Sequence, residues 1–202
     1  MKIKCCGFTR VEDVRAAVTL GVDAIGLNLA RGPRKISLEQ AAELVRAIPP
    51  LVTAVALFVD ADEASIITAM HKTRCTVIQL HGSESPALAE RLRARFPVIK
   101  AFAVKDAATL SAVHGYPADA YLLDAAVPGI AGGSGVAWNH HLLRGITFER
   151  PVILAGGLNP DTVSAAITAT SPYGVDVASG IESAPGIKDA QRMAAFVTAA
   201  RK

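Results

Sequence analysis

The sequence predicts an α/β fold, one (β/α)8 TIM barrel forming a single domain over residues 1–202. Three observations carry that expectation. Short β-branched or apolar runs alternate with longer, Ala-rich amphipathic runs, eight times in succession and without a linker. The short runs are apolar almost throughout, as parallel strands buried on both faces must be. The length of 202 residues suits a compact member of this class, which begins near ~200 residues and typically runs to about 250. A doubly wound open sheet is the alternative. It calls for a dinucleotide or phosphate fingerprint after its first strand, and Cys6-Gly7-Phe8-Thr9 has neither GxGxxG nor GKT.

The elements follow in order. Residues 3–6 read as the first strand and 9–20 as its helix, with Thr9 as N-cap, Glu12 completing a capping box and Gly21 as the stop. The second strand is 24–29, and the second helix is 37–48, ended by Pro49-Pro50. Strand three is 52–59 and helix three 62–71, with Asp60 and Asp62 placed to cap it. Strand four (76–80), a helix (85–95), strand five (98–102), another helix (106–114) and strand six (120–124) come next. A long glycine-bearing loop leads to a short helix near 138–143. Strand seven (151–154), its helix (159–168), strand eight (173–177) and a last helix (188–200) complete the chain.

Composition narrows the function. Hydrophobic residues make up 51% and charged residues 19%, an ordinary globular balance that leans apolar. The net charge is only +3, and runs such as Arg91-Leu92-Arg93-Ala94-Arg95 read as solvated helix faces, so no nucleic-acid partner is expected. No apolar run is long enough to span a bilayer, and the N-terminus leads straight into a strand without the features of a signal peptide. Of the three cysteines, Cys5 and Cys6 are adjacent, where a bridge would be strained. No CxxC or Cys/His spacing appears, so no metal is expected. These features suit a reduced, cytoplasmic protein, monomer or homodimer, working without a cofactor.

In a barrel of this class the active site lies at the C-terminal ends of the strands. That rule selects Cys6, residues 28–34, Asp60, residues 79–82, Phe102, Asp124, Gly156-Gly157 and Ser179-Gly180. Residues i and i+2 of a strand share a face, so Lys4 and Cys6 point one way and Cys5 the other. Cys5 and Cys75 read as small buried hydrophobes. Cys6 admits that reading too, but it stands at a strand's end beside Gly7. A lysine inside a barrel must be paired, and Asp176, on the strand that closes beside the first, is placed to meet Lys4. Across one mouth, a Cys6 thiolate and an Asp124 carboxylic acid would supply a general base and a general acid. Lys4 would favour the thiolate, and burial in an apolar mouth would keep Asp124 protonated.

The runs Leu154-Ala155-Gly156-Gly157-Leu158 and Val177-Ala178-Ser179-Gly180 end strands seven and eight. They are either tight turns or the phosphate site that such barrels build from those two loops. Finding both together favours a phosphorylated small-molecule partner. Arg34, after strand two and away from those loops, reads as a surface arginine or as the ligand of a second anion such as a carboxylate. His81 reads as a structural or solvated histidine at the mouth.

The ordered motifs resemble those of the phosphoribosylanthranilate isomerase family over nearly the whole chain. They are Lys4-Cys5-Cys6-Gly7-Phe8-Thr9, Gly32-Pro33-Arg34, Gln79-Leu80-His81-Gly82, Leu122-Leu123-Asp124, Gly132-Gly133-Ser134-Gly135, residues 154–158 and residues 175–182. The first motif alone is weak, and the ordered set is specific. The resemblance implies an Amadori rearrangement in tryptophan biosynthesis, with Asp124 as general acid and Cys6 as general base. It also implies Arg34 on the anthranilate carboxylate, and Gly133, Gly156, Gly157, Ser179 and Gly180 about the phosphate, with His81 and Asp176 lining the pocket. Three positions depart from the family pattern: Cys5 replaces an aliphatic residue, Gly32 a serine, and Ala137-Trp138-Asn139-His140 stands where Phe-Asp-Trp is common. Two rivals remain. An indole-glycerol phosphate synthase-like enzyme would need a catalytic lysine, for which Lys100 is the candidate at a strand's end. A non-catalytic phosphosugar-binding barrel would need the loops but neither Cys6 nor Asp124. A redox role for Cys5-Cys6 is a third.

Overall fold

The structure, a computed structural model, describes residues 1–125, 143 and 146–202. The short helix expected near 138–143 and the Gly133 loop lie outside the described residues, apart from Leu143. Eight parallel strands close into a barrel in sequence order: β1 (Lys2–Cys6), β2 (Ala24–Asn28), β3 (Thr53–Phe58), β4 (Val77–Leu80), β5 (Val98–Val104), β6 (Ala120–Ala125), β7 (Val152–Ala155) and β8 (Gly174–Val177). Helices α1 (Val11–Thr19), α2 (Leu38–Arg46), α3 (Glu63–Thr73), α4 (Pro86–Arg93), α5 (Ala107–Ser111), α6 (Val163–Thr170) and α7 (Ala190–Ala200) follow their strands. None of the described helices is long and apolar enough to cross a membrane.

Strand alternation divides the core in two. Outward-facing Ile3, Cys5, Ile25, Leu27, Leu80 and Val175 pack with helix residues such as Val14, Leu44, Leu92 and Phe196 in the shell between barrel and helices. Burying each large side chain of that kind contributes roughly 1.5–3 kcal/mol. A smaller cluster of Ala101, Leu122, Ile153 and Ala155, with Ile99 and Ala120 against it, fills the barrel interior. Toward the mouth the interior turns polar, with Lys4, Gln79 and Asp176 all buried. Cys5 and Cys75 are free and buried, as expected of small hydrophobes, and Cys6 is free and buried as well. Nothing pairs the two neighbouring thiols.

Local signals held where the chain had no competing partner. Ser37 and Gln40 form a reciprocal capping box on α2, and Asp62 caps α3 by accepting from Ser65 N at 2.8 Å. Asp60 does not share that role. It sits at φ 51° and accepts from Ser83 N, tying the loop after β3 to the loop after β4. The capping box expected at Thr9 is also absent: Arg10 is the N-cap of α1, with no side-chain cap. The Thr9 hydroxyl instead donates to Gly186 O at 2.6 Å. The reason is a hairpin that the sequence did not announce, β9 (Glu182–Ala184) with β10 (Ile187–Lys188), which lies against the end of β1 and takes the hydroxyl for itself. The last helix therefore begins two residues later than expected, capped by Asp189.

Glu149, just before β7, links the chain there to Gly115 in the turn before β6 and to Tyr121 on β6. Its carboxylate accepts from Gly115 N and from the Tyr121 hydroxyl, both at 2.7 Å. These bonds, the Gly115 amide first, hold its pKa down at about 2 from an ordinary 4.5. A carboxyl depressed in the folded state contributes stability above its unfolded value and loses it as pH falls through the folded one. Urea unfolding midpoints of the native protein should therefore fall from pH 4.5 toward about 2. Glu149→Gln should flatten that part of the profile, and an unchanged slope would mean that other carboxyls govern it.

Candidate active site

A cavity of about 290 Å³ opens at the C-terminal mouth of the barrel. Every described site residue lines it except Gly180: Cys6, Arg34, His81, Asp124, Gly156, Gly157, Asp176 and Ser179. Two larger hollows, of about 570 and 420 Å³, lie outside the loops after β7 and β8 and at the opposite end of the barrel. Neither contains Cys6 or Asp124, so the chemistry belongs to the mouth.

Cys6 ends β1, where the chain bends so that Gly7 N and Phe8 N both donate to Gly26 O, at 2.9 and 3.3 Å. Two glycines make room for this bend. Gly7 lies at φ 79°, and a Cβ there would strike Arg34 Cδ. A Cβ on Gly26, the register partner of Cys6, would sit 2.6 Å from the Cys6 sulfur. Beneath the thiol, Lys4 Nζ donates to Asp176 Oδ1 at 2.9 Å, the pairing that strand alternation predicted. Burial opposes the Lys4 charge, but Asp176 and Cys6 outweigh it and hold the ammonium above the ordinary lysine range. The expectation for Cys6 is corrected. Lys4 does favour the thiolate, yet burial dominates and pushes the thiol pKa up.

Asp124 stands near the end of β6, its side chain about a third exposed. The burial expected for it in an apolar mouth is only partial, because the residue sits at the rim beside His81. Its Oδ2 lies 3.4 Å from His81 Nε2. The other ring nitrogen, Nδ1, is 2.8 Å from Gln79 Nε2. His81, its side chain also about a third exposed, is thus held between two polar groups at the rim.

Arg34 is not remote from the loop after β8. Its Nε and Nη2 grip both oxygens of Glu182, at 2.8 and 2.6 Å. In a closed barrel only β1 separates β2 from β8, so the two loops meet. Burial works against the Glu182 charge, but Arg34 and Lys188 prevail and hold its carboxyl below the usual range. Gly156 and Gly157 lie at φ 89° and 67°, left-handed turns that L side chains disfavour. Gly180 belongs to a 3-10 turn, Ser179–Ile181. A Cβ there would run into Leu158 O, so the two loops pack directly against each other.

Lys100 is not in the mouth. β5 extends to Val104, which leaves Lys100 in mid-strand on the face opposite inward Ile99 and Ala101. Its ammonium bonds Gly82 O at 2.6 Å and Glu84 Oε2 at 2.9 Å, in the helix layer. The residue that sequence reasoning missed is Lys188, which was assigned to the start of the last helix. No periodicity marks it, because its partners join the start of the chain, at Cys6, to the stretch from Ala178 to Glu182.

Acid–base groups on strand ends, set above glycine turns able to seat an anion, define a class: a (β/α)8-barrel enzyme with its site at the C-terminal mouth. Comparison with known proteins narrows the class to one family. The family model described as N-(5'phosphoribosyl)anthranilate (PRA) isomerase matches residues 3–199, and the chain belongs to that family. It is 43% identical over 201 residues to the N-(5'-phosphoribosyl)anthranilate isomerase of Geotalea uraniireducens, covering 99% of this chain and 98% of that one. The crystal structure of the Thermotoga maritima phosphoribosyl anthranilate isomerase superposes with a TM-score of 0.95 at 34% identity, covering 100% and 98% of the two chains. A phosphoribosyl anthranilate isomerase in complex with reduced 1-(O-carboxyphenylamino)-1-deoxyribulose 5-phosphate gives 0.89 at 31% identity, with the same coverage.

The raised Cys6 thiol has a direct readout. Its alkylation by iodoacetamide, followed by peptide mass spectrometry, should accelerate only above the ordinary cysteine value of about 8.5. A thiol that keeps its proton longer in the folded state contributes stability below that value and loses it as pH rises through the folded pKa. A midpoint below the ordinary value would show that the cations outweigh burial.

Proposed function

We propose that the chain catalyses the Amadori rearrangement of N-(5-phosphoribosyl)anthranilate to 1-(2-carboxyphenylamino)-1-deoxyribulose 5-phosphate, a step of tryptophan biosynthesis. The single observation that carries the assignment of roles is that the Cys6 thiol and the Asp124 carboxyl line one small cavity. Asp124 protonates the ribose ring oxygen as the C1–O bond breaks, and the anilino nitrogen lone pair forms the C1=N bond. Cys6 then removes the C2 proton, and the electron pair moves to give the enolamine, which tautomerises to the 2-ketone. The overall change is a 1,2-shift of hydrogen, so neither an oxidant nor a reductant is consumed.

The remaining residues bind. The loops through Gly156, Gly157, Ser179 and Gly180 offer backbone N–H groups to the phosphate, with Gly133 assigned there from the family pattern. Arg34 spends one edge of its guanidinium on Glu182 and offers the other to the anthranilate carboxylate. His81 orients the Asp124 carboxyl from 3.4 Å. Asp176 holds Lys4 in the floor beneath the thiol. Lys100, turned into the helix layer, is unavailable to a synthase-type mechanism in the mouth.

Each positioned acid or base is worth roughly 10²–10⁴-fold in rate. The test generates substrate in situ from anthranilate and phosphoribosyl pyrophosphate with the preceding transferase, then follows the decay of anthranilate-ribosyl fluorescence. Native protein should consume the signal, and Cys6→Ala and Asp124→Asn should each slow turnover by at least that factor while product-analogue affinity is kept. Decay at the native rate in either variant would remove that residue from its role, and no decay with native protein would remove the reaction.

A further inference from the structure

Lys188, the last residue of the β9–β10 hairpin, has a side chain that is 0% exposed. Its ammonium donates to three acceptors, one from the start of the chain and two from the stretch just before it: Cys6 O at 2.5 Å, Glu182 Oε1 at 2.7 Å and Ala178 O at 3.3 Å. The Phe8 ring lies 5.3 Å away as a cation–π partner. A buried ammonium is tolerated only when paired and hydrogen-bonded, and here its three hydrogens are all used. Neither Lys188 nor Glu182 lines the mouth cavity. Both act on it through their neighbours. Cys6 O belongs to the residue that carries the thiol, Ala178 O to the residue before Ser179, and the Glu182 carboxylate also holds Arg34. The hairpin is anchored further by Lys188 N on Asp13 Oδ2, Gly186 N on Glu182 Oε1 and the Thr9 hydroxyl on Gly186 O.

We propose that Lys188 is a positioning residue for the reaction: it clamps the end of β1 to the loop after β8 and stands as a second cation, with Lys4, beside the Cys6 thiol. The inference rests on the isomerase reading above. Charged and titratable groups reach Cys6 from every side. Lys4 lies on its own strand, Asp176 on β8, Lys188 on the hairpin and Arg34 after β2, where Glu182 holds it, while Cys5 is its neighbour in the chain. Among them Lys4, Lys188 and Arg34 favour the thiolate, and burial and Asp176 oppose it. One cation is thus held in place by Asp176, the other by Glu182. Each sits beneath or behind the thiol, outside the space a substrate would fill.

The test compares native protein, Lys188→Met and Glu182→Gln, each checked for folding by circular dichroism and thermal melting. Two quantities are read: kcat/KM in the fluorescence assay, and the pH midpoint of Cys6 alkylation by iodoacetamide. Lys188→Met should lower kcat/KM on the order of 10²-fold, as a displaced catalytic group does, and move the midpoint up. Glu182→Gln keeps an oxygen for both cations but leaves them uncompensated, so the midpoint should move down. Midpoints that move in opposite directions are the signature, because a purely structural role would lower activity without shifting them. Native values in folded variants, or a loss of activity with an unmoved midpoint, would overturn the proposal. If Lys188→Met does not fold, a downward midpoint in Glu182→Gln supports the proposal and any other result overturns it. Inactive native protein would instead defeat the isomerase reading, a different failure.

Discussion

The barrel closes where its last strand meets its first, and at that seam Lys4 faces Asp176 across 2.9 Å with both side chains buried. An ion pair taken out of water gains little net stability, because desolvation offsets most of the attraction, but losing one partner strands the other charge at a cost of about 3–5 kcal/mol. The pair therefore enforces register more than it adds stability. A one-residue slip of β1 would carry Lys4 outward into the apolar shell and bring Cys5 to the interior in place of Cys6. With the register held, Cys6 lands at the mouth, Gly26 lies opposite its sulfur, and Asp124 faces the same cavity from β6.

The floor of the mouth is built from fixed charges in a poorly solvated space. Burial raises the Cys6 thiol in spite of two nearby ammonium groups. A base that rests protonated is compatible with catalysis where the pocket is preorganised, since a raised pKa also makes the thiolate a stronger proton acceptor once formed. At the rim the balance differs. Asp124 is a third exposed and has the His81 imidazole beside it, 3.4 Å from its carboxylate.

Beyond the eight units, the β9–β10 hairpin joins the ends of the site that lie far apart in sequence. Through Glu182 and Lys188 it connects Arg34 after β2, Cys6 on β1 and Ala178 after β8. On the other side of the barrel Lys100 and Glu84 do similar work for the loop that carries His81, with Glu84 accepting from the backbone N–H groups of Asp60 and Gly82. Both networks lie behind the cavity wall, and both hold loops by satisfying backbone groups that would otherwise be buried without partners.

The eight barrel strands, the inward face of Lys4 and Cys6 and the meeting of Lys4 with Asp176 were all legible in the sequence, because periodicity and strand parity are local and a buried lysine demands a partner. So were the positions of Asp124, of Gly156-Gly157 after β7 and of Ser179-Gly180 after β8, because strand ends define the mouth. What the tertiary structure alone decided are the competitions between partners. Thr9 has the sequence of a cap, but a hairpin from the other end of the chain takes its hydroxyl. Arg34 reads as a free cation, but Glu182 reaches it across a single strand. Lys100 reads as a strand's last lysine, but it lies in mid-strand on the face opposite inward Ile99 and Ala101, where Gly82 O and Glu84 take its ammonium. Lys188 carries no signal at all. Its role comes from the meeting of two acceptors near it in sequence with Cys6 O, 182 residues away, which barrel closure brings to it, and a one-dimensional pattern holds no record of groups that meet only when the ring is complete.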